Sequence, residues 1–219
     1  MTLDWSVIWQ YREAFAIGVM NTILLTVLTM LISIPGGLFV MFMRTSRFVA
    51  LRGIATFYVE LFRATPLILL IYWTFYVLPV LTGVYLPPMA TGLLALSLIV
   101  SAYNSETFRA GVNSIRKGQV DAALALGMSK SQVMTKVVLP QAIRRVLPVF
   151  ANTWVSLFKD TSLISVIAVS ELSYVSLQVR SETFRILEVL TAMAVIYWML
   201  GYPQAKLVDW INRRFGVTE

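Results

Sequence analysis

The sequence predicts an all-α integral membrane protein with five transmembrane helices. Of its 219 residues, 58% are hydrophobic and only 13% are charged, whereas soluble domains carry about 25% charged residues. Several long stretches contain no charge, and a stretch of about 20 apolar residues crosses the hydrocarbon core of a bilayer as a helix. A chain of this size could not bury so much apolar surface in water. The composition therefore excludes an ordinary soluble enzyme, a disordered chain and a nucleic-acid-binding domain.

The charge-free intervals place the predicted spans along the chain. Residues 14–43 fit one helix, and residues 64–105 fit two helices with a break at 81–88. Residues 146–170, apolar except for Lys159 and Asp160, fit a fourth. A fifth span is predicted in 189–205, ending at Pro203.

Basic residues predict the orientation of these spans. Thirteen of the 18 Lys and Arg residues fall in the linker after span 1, in the linker after span 3 and in the C-terminal tail. Because cytoplasmic loops are enriched in Lys and Arg, we expect these regions in the cytoplasm. The N-terminus is then outside, as an odd number of spans requires.

The segment between spans 3 and 4, about 110–145, has a pattern of its own. It predicts one helix over 114–126 that ends at Gly127, since glycine readily adopts the left-handed conformation after a helix. Ser129 and Gln132 have capping-box spacing, which predicts a second helix that ends at about Val138, before Pro140. This compact loop either docks a partner protein or packs beneath the helix bundle.

The same loop resembles the EAA loop in membrane subunits of bacterial ABC importers. Asp121-Ala122-Ala123 is followed by Gly127 and by Val137-Val138-Leu139-Pro140 at the spacings of that motif, with Asp replacing Glu and Val replacing Ile. Four further sequence motifs resemble those of a narrower family, the polar amino-acid permeases. These motifs are Phe62–Pro66, Ala102–Glu106 with Arg109–Gly111, Leu139–Ala142 and Lys159–Leu163.

This resemblance implies one permease domain over 1–219 with the fold of type I ABC importers. The first loop helix would be a coupling helix in a groove of an ATPase, and the coupling residues would be Asp121, Ala122, Ala123, Gly127, Leu139 and Pro140. The implied partners are two ATP-binding cassette ATPases, a second permease chain, a periplasmic or lipid-anchored amino-acid-binding protein and membrane lipids, but not nucleic acid. The implied location is the bacterial inner membrane.

The chain is not expected to be an enzyme. It has no P-loop motif for nucleotide phosphates, so we expect it to bind no cofactor and its partners to use ATP and Mg²⁺. It also contains no His and no Cys, which leaves a membrane-embedded enzyme few catalytic groups and predicts no metal site.

Charged residues within spans are costly and are functional by default. The candidate substrate-binding residues are Glu106, Asp160, Thr65, Asn152, Thr161 and Ser162. Glu60 and Arg63 are expected to form a structural pair, and Lys159 to hold a helix or subunit interface. Two alternatives stay open: Glu106 paired only with Arg109, and Lys159 with Asp160 in a purely structural network.

These observations predict the transmembrane subunit of an ATP-driven amino-acid importer that works by alternating access. The alternative is a secondary transporter of a small polar solute driven by an ion gradient, although such proteins usually contain internal repeats and none is evident. The sequence leaves open which amino acid is carried, whether the permease dimer is homomeric, and whether this chain holds the substrate site.

Overall fold

The chain folds into a bundle of long helices with a small helical loop at one end. The computed structural model describes residues 3–215. Within that range the α-helices are α1 (Ser6–Gln10), α2 (Arg12–Arg44), α3 (Val49–Ala64), α4 (Leu67–Tyr72), α5 (Leu78–Thr82), α6 (Pro88–Asn113), α7 (Lys117–Ala125), α8 (Lys130–Val133), α9 (Leu139–Asp160), α10 (Leu172–Thr183) and α11 (Ile186–Phe215). Two π-helical turns, Trp73–Val77 and Met134–Val138, and a 3₁₀ helix, Thr161–Ile167, connect some of them.

Two helices, α2 and α11, are each long and apolar enough to cross a membrane. Two further spans are possible if each of two bent pairs counts as one: α3 with 67–82, bent by 111°, and 130–167 with α10, bent by 48°. Helix α6 has 26 residues, about 39 Å of helix at 1.5 Å per residue, but its second half is more polar. The predicted count of five spans stays a prediction.

Helices α2 and α6 form the most tightly packed pair. A Cβ atom added to Gly36 would lie 2.5 Å from the Ser101 Oγ, and one added to Gly37 would lie 2.6 Å from the Asn104 Cβ. Asn104 is fully buried and donates a 3.1 Å hydrogen bond to the Ser33 Oγ. Small residues allow membrane helices to approach closely, and buried polar side chains then bond across the interface.

A buried carboxylate, Glu171, links helices α10 and α11. Glu171 is fully buried and caps the N-terminus of α10, where it accepts hydrogen bonds from the backbone N–H groups of Ser173 and Tyr174 at 2.9 and 2.7 Å. The Tyr197 hydroxyl of α11 also donates to Glu171, at 3.0 Å. A carboxylate at a helix N-terminus satisfies otherwise unpaired N–H groups, so Glu171 joins α10 to α11.

The prediction that Pro140 ends the second loop helix was wrong. The helical chain continues from α8 through the π-turn Met134–Val138 into α9, with Pro140 near the first turn of α9. Proline clashes with the carbonyl group four residues earlier, and the wider π-turn accommodates it. Helix α11 likewise continues through Pro203 instead of ending there.

Candidate functional site

A cavity of about 650 Å³ lies where α3 meets α4, with α6 and α9 on its other sides. The chain bends sharply at Thr65 and Pro66, because Pro66 disfavours helix at the preceding residue. The Thr65 hydroxyl donates to the Leu61 carbonyl at 2.7 Å, which satisfies a carbonyl at the end of α3. The bend opens a space of the size typical of small-molecule sites.

One wall of the cavity is a polar face of α9. Asn152, Ser156 and Asp160 follow one another at intervals of four residues and all line the cavity. Residues four apart lie on one face of a helix, so this face was readable from the sequence. Asp160 is the last residue of α9, where the helix tightens into the 3₁₀ helix Thr161–Ile167.

Arg63 supplies a positive charge to the same cavity. It lines the space at the end of α3, and its guanidinium carbon lies 5.6 Å from the centre of the Tyr103 ring, which also lines the cavity. A guanidinium over an aromatic ring is held by a cation–π interaction. The cavity therefore carries a carboxylate, Asp160, and a guanidinium, Arg63.

Glu106 lies outside the lining of this cavity and binds arginines instead. It forms ion pairs with Arg44 of α2, with Arg63 at 3.9 Å and with Arg109 at 2.7 Å. The alternative pairing of Glu106 with Arg109 is present, but it is not exclusive, because Arg44 and Arg63 share the carboxylate. Arg63, expected to pair with Glu60, instead contacts Glu106 of α6. One carboxylate thus holds together the ends of three helices.

The other candidate residues are dispersed. Thr161 is fully buried, and its hydroxyl donates to the Phe158 carbonyl at 2.8 Å. Ser162 lines a second cavity of about 570 Å³ between α9 and α11, together with Lys159. Of the six predicted substrate-binding residues, Thr65, Asn152 and Asp160 share the first cavity, while Glu106, Thr161 and Ser162 do not.

Several polar lining residues were not among the predicted substrate-binding residues. These are Arg63, Tyr103, Thr107, Thr153 and Ser156. The four-residue spacing back from Asp160 could have identified Ser156. No comparable signal marks Arg63 or Tyr103, because their place in the cavity depends on the bend after Ala64 and on the rotation of α6.

The loop between α6 and α9 is a small folded unit. The N–H of Gly127 bonds to the Leu124 carbonyl at 2.9 Å and that of Met128 to the Ala123 carbonyl at 3.2 Å. With Gly127 at φ +83°, these bonds form a Schellman motif at the end of α7. The predicted capping box is also present: Ser129 and Gln132 exchange hydrogen bonds at 3.3 and 2.8 Å.

The predicted coupling residues occupy different positions in this unit. The Ala123 side chain is buried in the loop's own core with Val133 and Val138, so it does not face outward. Asp121 and Ala122 are exposed, and Leu126, which the sequence analysis did not single out, is 83% exposed. A Cβ added to Gly127 would meet nothing within 4 Å. Within this chain, Gly127 is therefore required for its backbone conformation and not for close packing.

Leu139 and Pro140 lie where this unit joins the bundle. Leu139 lines an apolar cavity of about 440 Å³ bounded by the ends of α2 and α6 and the start of α9. A Cβ added to Gly111 would lie 2.2 Å from the Val146 Cγ1, so α6 and α9 are in close contact beside it. The loop unit therefore meets α2, α6 and α9 at one place.

The sequence is similar to those of known transport proteins. Residues 33–217 match the family described as the binding-protein-dependent transport system inner membrane component. The glutamine transport system permease protein GlnP of Escherichia coli K12 is 31% identical over 99% of this chain and 100% of its own length. The L-cystine transport system permease protein TcyB of Bacillus subtilis is 34% identical over 97% of this chain and 91% of its own.

Solved structures agree with these relatives. A chain from the crystal structure of an amino acid ABC transporter with histidines superposes with a TM-score of 0.92 at 31% identity, covering 98% of this chain and 100% of that one. A chain of the MetNI methionine ABC transporter in an inward-facing conformation shares the fold, with a TM-score of 0.69 at 17% identity over 92% of this chain and 98% of its own. The chain belongs to the family of binding-protein-dependent transport system inner membrane components, and its fold is that of type I ABC importer permeases.

Proposed function

We propose that this chain is the transmembrane subunit of an ATP-driven amino-acid importer and that the α3–α6–α9 cavity holds the amino acid in transit. The observation that supports this most is the pair of opposite charges in the lining. An amino acid carries an ammonium and a carboxylate; Asp160 can accept hydrogen bonds from the first, and Arg63 can donate two parallel hydrogen bonds to the second.

Glu106 has a positioning role in this proposal. It contacts Arg63 from outside the cavity lining, and Tyr103 contacts the same guanidinium from within it. Because Glu106 also neutralises Arg44 and Arg109, it does not fully compensate Arg63. The guanidinium keeps positive charge available for a substrate carboxylate, as expected of a charged group at an intramembrane solute site.

The proposed assembly contains two such permease chains, identical or homologous, and two ATPase subunits that contact the loop 117–138. Exposed Asp121, Ala122 and Leu126 would provide that contact. ATP and Mg²⁺ would be used by the ATPases, this chain would bind no cofactor, and a receptor outside the membrane would deliver the amino acid. The concentration of Lys and Arg in 44–52, 109–145 and 206–214 supports an inner-membrane orientation with the N-terminus outside.

Alternating access would then follow from how the loop is joined to α9. Since α8, the π-turn and α9 are continuous, closure of the ATPases would displace the cytoplasmic end of α9 together with the loop. Such a rigid-body linkage connects a nucleotide site to a distant solute site. The cavity would open to one side of the membrane and then to the other.

Uptake into vesicles tests the proposed function. The assembled transporter, reconstituted with its ATPases and receptor, should take up amino acid only when ATP is supplied on the ATPase side. Ionophores that collapse ion gradients should leave uptake unchanged. Uptake by this chain without ATPases, abolished by ionophores, would contradict the proposal and identify a secondary transporter.

A further inference from the structure

A cluster of three arginines lies at the end of the bundle that carries the loop. A cavity of about 510 Å³ between α9 and α11 is lined by Gln141, Arg144, Arg145, Arg214 and Phe215. This basic cavity is separate from the proposed amino-acid cavity, with which it shares no lining residue.

The pairing of α9 with α11 brings these arginines together. The two helices are antiparallel, and the Trp154 Nε1 donates to the Gln204 Oε1 at 2.7 Å. Arg144 lies ten residues before Trp154, and Arg214 lies ten residues after Gln204. Equal steps in opposite directions along antiparallel helices bring Arg144 and Arg214 to a similar height in the bundle, and both line the same cavity.

The positive charge in this cavity is not compensated by carboxylates within residues 3–215. The ion pairs there that involve arginine use Arg12, Arg44, Arg63, Arg109 and Arg185. Like charges in proximity repel one another, at an energy that grows as the surroundings become less polar. An anion bound from outside would relieve that repulsion.

Part of the cavity is already fixed by hydrogen bonds. The Arg145 Nη1 donates to the Ser114 carbonyl at 2.6 Å, and the Gln141 Nε2 donates to the Gln119 Oε1 at 2.7 Å. Both acceptors belong to the loop, Gln119 being in α7. An anion in this cavity would therefore contact side chains that also hold the loop against α9.

The surroundings indicate the source of the anion. Ile143 of α9 and Leu207 and Trp210 of α11 lie close by in sequence and are 59%, 57% and 54% exposed. Exposed apolar side chains of membrane helices face lipid, and tryptophan is enriched at the membrane surface. In the proposed orientation, these side chains would put the basic cavity at the level of the cytoplasmic headgroups.

We propose that this cavity binds the phosphate group of an anionic phospholipid of the cytoplasmic leaflet. Arginine suits this ligand because its planar guanidinium matches two phosphate oxygens with parallel hydrogen bonds. Basic pockets between membrane helices on the cytoplasmic side bind phospholipid headgroups in this way. The inference uses the proposed orientation but not the proposed amino-acid site.

Native mass spectrometry of the full-length chain in detergent, together with the partner chains that copurify, tests the inference. Phosphatidylglycerol and phosphatidylcholine are titrated separately, and the apparent Kd of the first bound lipid is measured. The test variant is Arg144→Gln/Arg214→Gln. The control, Arg52→Gln/Arg213→Gln, loses the same charge in the same predicted compartment, from exposed residues outside the cavity.

We expect the unmodified chain to bind phosphatidylglycerol more tightly than phosphatidylcholine. Because each arginine should contribute about fivefold to the affinity, the test variant, which lacks two, should bind phosphatidylglycerol about 25-fold more weakly. The control should stay within about twofold of the unmodified chain, because its arginines lie outside the cavity and do not contact the bound phosphate. Thermal unfolding checks that each variant is folded. An equal loss in both variants would overturn the inference, as would displacement of the lipid by millimolar inorganic phosphate, which would indicate a free-phosphate site. Unchanged lipid binding with loss of a copurifying ATPase would assign the arginines to a protein partner instead.

Discussion

The α2–α6 pair and helix α9 differ in how closely they are packed within the same bundle. Between α2 and α6, glycines and short polar side chains leave so little space that even a methyl group would clash. Helix α9, in contrast, contributes residues to all four cavities described above. It begins after a π-turn and ends in a 3₁₀ helix. The tight pair provides a frame, and the loosely surrounded helix provides the site and the connection to the loop.

The largest effect is expected from breaking the frame. Gly37→Val would place side-chain atoms against the Ser105 nitrogen and the Asn104 carbonyl carbon, which lie 3.0 and 3.1 Å from an added Cβ. Backbone atoms cannot move aside as a flexible side chain can, so we expect a loss of about 3 kcal/mol or more of folding stability. Thermal unfolding in detergent measures it.

Gly53→Val is the matched control for that change. Gly53 is also helical, but a Cβ added there would meet nothing within 4 Å. It should unfold close to the temperature of the unmodified chain. Equal unfolding temperatures for both variants would contradict the account of the α2–α6 pair.

An intermediate loss of stability is expected from changing Glu106, which links α2 and α3 to α6 beside the cavity. Glu106→Gln would leave Arg44, Arg63 and Arg109 without their shared carboxylate. The Glu106 side chain is 18% exposed, so the cost lies between those of surface and buried ion pairs, about 1–3 kcal/mol. Glu60→Gln, on an exposed position of α3, is the control, and a loss of stability as large as that of Glu106→Gln would contradict the assigned pairing.

The smallest effect on stability is expected in the loop. Gly127→Ala should cost about 1 kcal/mol because its positive φ disfavours side chains with a Cβ, while Gly127→Asn should cost less, since Asn tolerates that conformation. Thermal unfolding reports these differences. An equal loss of stability for Gly127→Ala and Gly127→Asn would contradict the claim that position 127 needs glycine for its backbone conformation.

Coupling should respond differently from stability at this loop. Asp121→Arg and Gly127→Trp place a reversed charge and a large ring on an exposed surface, so the chain itself should still fold. In the reconstituted transporter we expect ATP hydrolysis to proceed without matching amino-acid uptake. Normal uptake in both variants would contradict docking of an ATPase at this surface.

The sequence predicted the fold class and much of the local structure, because these depend on neighbours along the chain. Charge-free intervals located α2, α6 and α11, but not α3 or the end of α9 at Asp160. The capping box at Ser129 and the helix end at Gly127 were predicted from spacing alone. Pro140 and Pro203 were misjudged as helix ends. A proline interrupts hydrogen bonding, but a π-turn or neighbouring helices can accommodate it inside a continuous helix.

The candidate site was only partly predictable, because its composition depends on how helices are rotated and bent. Asp160 and Asn152 were identified from their place within a span, and they do share a cavity. Glu106 was equally plausible by sequence, yet it turns toward Arg44 and Arg63 on other helices. The bend at Pro66 brings Arg63 into the cavity, and spacing along α3 alone suggested a partner in Glu60 instead.

Binding of an amino acid to the receptor-free transporter tests most directly the claim that α9 carries the site. Asp160→Asn removes the carboxylate proposed to bind the ammonium group, and Asp209→Asn is the control on an exposed residue paired with Lys206. Calorimetric titration should show at least about tenfold weaker binding for Asp160→Asn, the loss typical of a charge-assisted hydrogen bond, and unchanged binding for the control. Wild-type affinity in Asp160→Asn would contradict the account.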